Sequence, residues 1–255
     1  MRFRLPLLLL ALTSCGSNEG AQAPQPSQTI EQVAPAPACE VKTFEGSAFT
    51  VCRFDAGRET IELIEGNRSL AEVEARLGPR ARQVKFAMNA GMYDEEGRPI
   101  GLFVTEGKVG KRLNLRSGSG NFHLLPNGVF AQDNKGGLSI TPSPDFAERV
   151  PSPRWATQSG PMLLIDGEVH PKFDADGPSQ LIRNGVGVRD PRTAYFVISE
   201  DPVSFGRFAR FFRDGLGCAD ALYLDGTVSS LWDPAGARQD AYSSLGPILV
   251  VFGEP

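Results

Sequence analysis

Polar side chains set beside glycines recur at the ends of apolar runs in this chain. Asn89–Ala90–Gly91 follows an apolar run directly, and Gln158–Ser159–Gly160 interrupts one. Arg183–Asn184–Gly185 precedes a hairpin signal, and Asp225–Gly226–Thr227 closes a short apolar strand. A glycine in such a place lets backbone approach a ligand closely. Amides and carboxylates bind hydroxyl groups, and a guanidinium clamps phosphate oxygens. Together these residue types at strand ends point to a sugar or phosphate site. Turn chemistry is the competing account of each motif taken singly.

Other chemistries are poorly supported. There is no P-loop, no glycine-rich dinucleotide fingerprint and no His/Glu metal motif, and the two histidines, His123 and His170, are far apart in sequence. Asp94–Glu95–Glu96 ahead of Gly97 reads as a solvated turn rather than a cation loop. A nucleophilic Ser159 lacks the first glycine of a nucleophile elbow. Cys218, between Gly217 and Ala219, reads as a small buried residue rather than a nucleophile. No metal and no cofactor are expected.

The elements that must position these residues are mostly strands. Ser69–Leu70–Ala71–Glu72 is a capping box, and Leu70, Val73 and Leu77 recur at helical spacing before Gly78–Pro79, which predicts a helix over 69–77. Strands are expected over 83–88, 100–105, 109–115, 121–125 and 129–132, and over one long apolar stretch, 155–165, that turns at Asp166–Gly167. Residues 186–188 and 193–199 form a further hairpin. Phe205, Phe208, Phe212 and Leu216 fall on one helical face, and strands over 221–224 and 248–252 complete the chain. Many strands, two clear helices, 28 Gly and 20 Pro argue for an α+β fold: strand-rich, mostly antiparallel or mixed sheet, one domain.

Cysteine positions add a covalent constraint. If Glu45–Gly46 is a two-residue hairpin loop, Phe44 pairs with Ser47, and Cys39 and Cys52 stand equally far from the loop. Alternation outward puts them at a non-hydrogen-bonded pair, within reach of a disulfide. Such a bridge suits an exported protein.

The first residues support export. Met1–Arg2–Phe3–Arg4 is basic, residues 5–12 are apolar but too few to span a bilayer, and Leu12–Thr13–Ser14–Cys15 ends the run with small residues. This ending resembles the lipobox of bacterial lipoproteins. The resemblance implies removal of residues 1–14 and acylation of Cys15, with a palmitate-type anchor. Residues 15–38, rich in Gly, Ser, Gln, Pro and Ala, read as a flexible spacer before a globular domain over 39–255. The expected location is the bacterial cell envelope, on the outer membrane and facing the periplasm. A formal net charge of −4, more acidic once Arg2 and Arg4 depart, argues against nucleic-acid binding. A monomer is expected.

Six short motifs then appear in order: Asn89–Ala90–Gly91–Met92–Tyr93, Gly120–Asn121–Phe122, Pro126–Asn127–Gly128–Val129–Phe130, Gln158–Ser159–Gly160–Pro161–Met162, Arg183–Asn184–Gly185–Val186–Gly187 and Leu224–Asp225–Gly226–Thr227. Together they resemble the phosphodiester glycosidase domain family, over roughly Phe86 to Phe252. The resemblance implies hydrolysis of a sugar-1-phosphodiester to free sugar and phosphomonoester, without a metal. Arg183 is then expected on phosphate and Asp225 as base or nucleophile at the anomeric carbon. Asn89, Gly91, Gln158, Ser159 and Asn184 would bind substrate, with Asn121 and His123 as further candidates. The implied partner is a carbohydrate phosphodiester or envelope glycan. Two rivals stand beside this reading: a lipid-anchored glycan-binding module without turnover, and a hydrolase using Ser159 or Cys218.

Overall fold

Glu45 and Gly46 both adopt positive φ, 45° and 80°, so the first hairpin closes on a tight two-residue turn. It joins β1 (Cys39–Phe44) to β2 (Ser47–Asp55), with Phe44 opposite Ser47 and Cys39 opposite Cys52. The Cα atoms of the two cysteines are 4.0 Å apart and their sulfurs are bonded, as alternation along the ladder requires. The computed structural model describes residues 37–149 and 152–253. The expected signal over 1–14, Cys15 and the spacer as far as residue 36 lie outside the described residues.

Three antiparallel sheets form the domain. The largest runs β1, β2, β13 (Thr193–Ser199), β12 (Asn184–Asp190), β14 (Asp220–Tyr223), β10 (Met162–Ile165) and β11 (Glu168–Val169). A five-stranded sheet runs β16 (Arg238–Gln239), β15 (Leu231–Asp233), β4 (Val84–Asn89), β17 (Ile248–Phe252) and β3 (Thr60–Ile64). The third runs β6 (Lys108–Lys111), β5 (Phe103–Thr105), β9 (Pro153–Ser159), β7 (Gly128–Asp133) and β8 (Leu138–Pro142). The chain is α+β and strand-rich, as its turn-forming composition led us to expect.

Period-two alternation assigns each side chain to a layer. Phe54, Phe196 and Leu222 from the first sheet, Phe86, Met88 and Val251 from the second, and Phe103, Phe130 and Trp155 from the third share one buried cluster. Their strand neighbours point outward, and a helix covers each outer face. Helix α1 (Leu70–Leu77) buries Leu70, Val73 and Leu77 against Val250 and Phe252. Helix α2 (Ser143–Arg149) buries Phe146 against Val129 and Ala156. Helix α3 (Phe205–Arg210) and the π turn that extends it through Gly215 bury Phe208, Phe211 and Phe212 against Phe49 and Val197.

Several elements depart from expectation. The stretch 155–165 is not one strand: it breaks at Gly160–Pro161, leaving β9 in the third sheet and entering the first as β10. Asn121–His123 is a 3-10 turn rather than a strand, entered through Gly120 at φ 81° and turning Phe122 inward. Helix α2 escapes periodicity because its seven residues offer a single large apolar side chain, Phe146. Strand β3 was not anticipated, nor were the short strands β15 and β16.

Candidate active site at the junction of three sheets

The six motifs meet where the three sheets come together at one end. From the second sheet, β4 ends at Asn89. The Asn89 Oδ1 accepts hydrogen bonds from Asn184 Nδ2 at 2.8 Å and from the Ser230 amide at 2.9 Å. Its Nδ2 donates to the Asp225 carbonyl at 2.8 Å. The Asp225 amide in turn donates to the Ala90 carbonyl at 3.3 Å, and the Leu224 amide to the Asn184 carbonyl at 3.1 Å. The backbone of Asp225 is thereby held on both sides by groups far away in sequence. Asn89 braces the carboxylate-bearing segment, a different task from the substrate contact expected of it.

The crossing at Gly160–Pro161 ties in the third sheet. The Met162 amide donates to the Pro126 carbonyl, and the Tyr223 amide to the Pro161 carbonyl, both at 3.0 Å. Gly91 sits hard against β9, its amide donating to Thr157 Oγ1 at 3.3 Å. A Cβ on Gly91 would collide with the Gln158 carbonyl and with Thr157 Oγ1. This glycine serves contact between strands rather than approach to a ligand.

Gln158 is likewise consumed by the fold. Its Oε1 accepts from the Leu102 and Asn114 amides, both at 2.9 Å. Its Nε2 donates to the Asn114 carbonyl and to Ser143 Oγ, at 2.8 and 2.9 Å. With both ends occupied and 1% exposure, it pins the 112–116 segment instead of orienting substrate. Ser159 is fully buried, and its hydroxyl has no hydrogen-bond partner among the described residues, so no base activates it. Burial pushes the Cys218 thiol up to about 12, far from a reactive thiolate. Both rival nucleophiles therefore lack their activating environment. His123 binds the Arg116 carbonyl through Nδ1 at 2.9 Å and packs over Gly118, while Asn121 stays partly exposed at the start of its turn.

The register Gly185↔Tyr223 between β12 and β14, continued by the Leu224 amide donating to the Asn184 carbonyl at 3.1 Å, brings the segments that carry Arg183 and Asp225 side by side. Tyr223 lies within electrostatic reach of both. Arg183 is wholly buried. Its Nε donates to the Val203 carbonyl at 2.8 Å, and its Nη2 to the Ser179 carbonyl at 2.8 Å and to Ser179 Oγ at 3.2 Å. The guanidinium carbon stands 3.6 Å from the centre of the Phe205 ring and 5.8 Å from that of Tyr223, a cation–π cage. Nη1 has no partner, and no carboxylate pairs with Arg183 among the described residues. Burial lowers its pKa, against the opposing pull of Tyr223. A direct clamp on phosphate was expected of Arg183. In the structure the guanidinium is wholly buried, packed on Phe205 and close to Tyr223, so it presents no exposed atom for a direct phosphate contact.

Asp225 is the carboxylate that remains free. It is half-buried, and no basic side chain pairs with it among the described residues. Burial raises its pKa, partly offset by the Thr227 amide two residues on. Tyr93, tucked against Gly246 and donating to the Ser244 carbonyl, also senses the Asp225 charge. Tyr93, Tyr223 and Phe205 are the site residues that sequence reasoning missed. Tyr223 was legible in principle, because two residues before Asp225 on a strand means the same face. No group of three His, Cys, Asp or Glu side chains among the described residues is arranged to hold a metal ion.

A half-buried carboxylate without a basic partner among the described residues stands in this braced junction of three sheets, and comparison identifies the family. A family model described as phosphodiester glycosidase matches residues 82–244, and the chain belongs to that family. It is 39% identical over 157 residues to the uncharacterized protein YigE of Escherichia coli K12, covering 61% of this chain and 60% of that relative's length. Among solved structures it resembles the zebrafish N-acetylglucosamine-1-phosphodiester alpha-N-acetylglucosaminidase catalytic domain auto-inhibited by pro-peptide, with TM-score 0.59 and 15% identity over 88% of this chain and 86% of that one. A hypothetical protein from Synechocystis gives the same TM-score at 14% identity, over 85% of this chain and 61% of that one. At such identities the structural likeness speaks for the fold.

Proposed function

We propose that this protein hydrolyses a sugar-1-phosphodiester, releasing the free sugar and a phosphomonoester. The observation that carries the proposal is Asp225: an unpaired carboxylate, raised in pKa by burial, whose carbonyl accepts from the Asn89 side chain and whose amide donates to the Ala90 carbonyl. In this reading Asp225 acts at the anomeric carbon, as nucleophile or as the base that activates water. The departing group is a phosphate oxygen, which needs little protonation. The unpaired Arg183 charge close to Tyr223 favours the build-up of negative charge there, in place of an ordinary glycosidase's general acid. Asn184 is wholly buried and gives its Nδ2 to Asn89, so in this reading it positions the Asp225 segment rather than touching substrate.

Location belongs to the same proposal. Acylation at Cys15 would tether the domain in the bacterial envelope, where glycan phosphodiesters are its substrate class. The test is incubation of the detergent-solubilised full-length protein with a panel of sugar-1-phosphodiesters, followed by phosphorus NMR. We expect phosphomonoester from the parent and a loss of about 10³-fold or more in Asp225→Asn. A folded Asp225→Asn variant that turns over at the parent rate overturns the assignment. Saturable sugar binding with no released sugar would assign the protein to the glycan-binding class instead.

A further inference from the structure

A cavity of about 290 Å³ opens one residue past Asp225. Its walls include Ile182, the neighbour of Arg183, together with Thr227, Glu200, Arg238, Asp240 and Tyr242. We propose that this cavity is the subsite for an uncharged, polyhydroxylated ring of the substrate. The proposal deepens the function given above and rests on it only for its kinetic arm.

Three features select that ligand chemistry. The first is charge. Arg238 is the cavity's one cation among the residues that line it, and it is already neutralised. Its Nε and Nη2 are fixed by Asp240 at 3.1 and 3.0 Å, and its Nη1 by Glu200 and by Thr50 Oγ1. With two carboxylates against one guanidinium the cavity is net acidic, so it repels phosphate and the phosphodiester must lie outside it.

The second feature is a pre-set acceptor. Glu200 Oε1 takes hydrogen bonds from Thr50 Oγ1 at 2.6 Å and from Arg238, which fixes the carboxylate plane. Oε2 makes no hydrogen bond among the described residues and is left as an acceptor for a ring hydroxyl. The third is an aromatic ring at the rim. Tyr242 lines the cavity and is 85% exposed, which leaves its ring open to a ligand. An aromatic face beside fixed polar groups is what the C–H face of a sugar ring requires, and the volume is of the order of a small ligand pocket.

The test uses the detergent-solubilised full-length protein and saturation-transfer NMR, with the methyl glycosides of glucose, galactose, mannose and N-acetylglucosamine as probes and inorganic phosphate as competitor. We expect binding of at least one methyl glycoside, weakened about five-fold or more in Tyr242→Ala and in Glu200→Gln, with no displacement by phosphate. Because Tyr242 is so exposed, its variant is expected to melt with the parent. Absence of binding by every probe, parent-like binding by Tyr242→Ala, or displacement by phosphate overturns the proposal. In the kinetic arm, sugar-1-phosphodiesters share one sugar and carry a methyl or a glycosyl aglycone. A higher KM in Tyr242→Ala for the glycosyl aglycone alone assigns the cavity to the aglycone, and a rise for both assigns it to the released sugar. An unchanged KM for both overturns the subsite. Glycoside binding by a parent that turns over no phosphodiester would sink the proposed reaction and leave the subsite standing.

Discussion

Asp225 and Arg183 are opposite charges whose fates were set by burial. The arginine is caged by Phe205 and Tyr223 and bonded to two carbonyls, while the carboxylate stands half-open with no cationic partner among the described residues. Burial raises the Asp225 pKa above its ordinary 3.8, and a nucleophile or base must be ionised. The acidic limb of the kcat–pH profile is therefore expected above the ordinary carboxylate range. The same shift has a stability sign. A carboxyl whose folded pKa is raised contributes stability below its unfolded pKa and loses it as pH rises through the folded value. Asp225→Asn stays neutral, so its Tm relative to the parent should increase from acid toward neutral pH. A difference that shrinks instead would show a carboxylate stabilised by its surroundings. Cys218 offers a second check at this scale: with its thiol pushed up to about 12 by burial, it should react with a thiol reagent only on unfolding.

At the scale of elements, the site depends on how closely strand ends approach one another. Gly91 rests on the β9 backbone with no room for a Cβ, so Gly91→Ala must push β4's extension away from Gln158. We expect a loss of about 1–3 kcal/mol in denaturant unfolding, accompanied by reduced turnover because the Ala90 carbonyl holds Asp225. Parent-like stability would mean that the loop yields without strain. Element identity was readable where a pattern ran long enough. The N-cap of α1 forms as expected, with Ser69 Oγ accepting from the Glu72 amide at 3.1 Å, while the Glu72 carboxylate accepts from the Arg68 amide instead of that of Ser69. It was unreadable where one residue carried the burial, as in α2, or where a continuous apolar run changed sheets at Gly160–Pro161. Period-two alternation does not record which sheet a strand joins.

For the whole molecule, the first sheet's edge is sealed covalently. The Cys39–Cys52 bridge closes a 13-residue separation between the edge strand β1 and its neighbour. Replacing both cysteines by serine should cost about 3 kcal/mol or less, since native hairpin contacts already restrain the ends. Differential scanning calorimetry of the parent against the double variant measures this. An unchanged Tm would show that β1 contributes nothing to the cooperative unit. Phe54, Phe86 and Phe130 come from three different sheets into one cluster, so the junction at Asp225 inherits its rigidity from the common core.

By itself the sequence determined the strand-rich class, the first hairpin with its disulfide register, the helix behind its capping box, and the short motifs that carry the family. These follow from local chemistry: turn residues, alternation and spacing, which act between neighbours along the chain. The tertiary structure alone decided which polar side chains were left over. Asn89 and Gln158 spend their amides on partners up to 141 and 56 residues away, Arg183 disappears beneath two aromatic rings, and Asp225 stays unpaired. Whether a polar group is a brace or a reagent depends on which distant donors and acceptors reach it, and that is a property of packing.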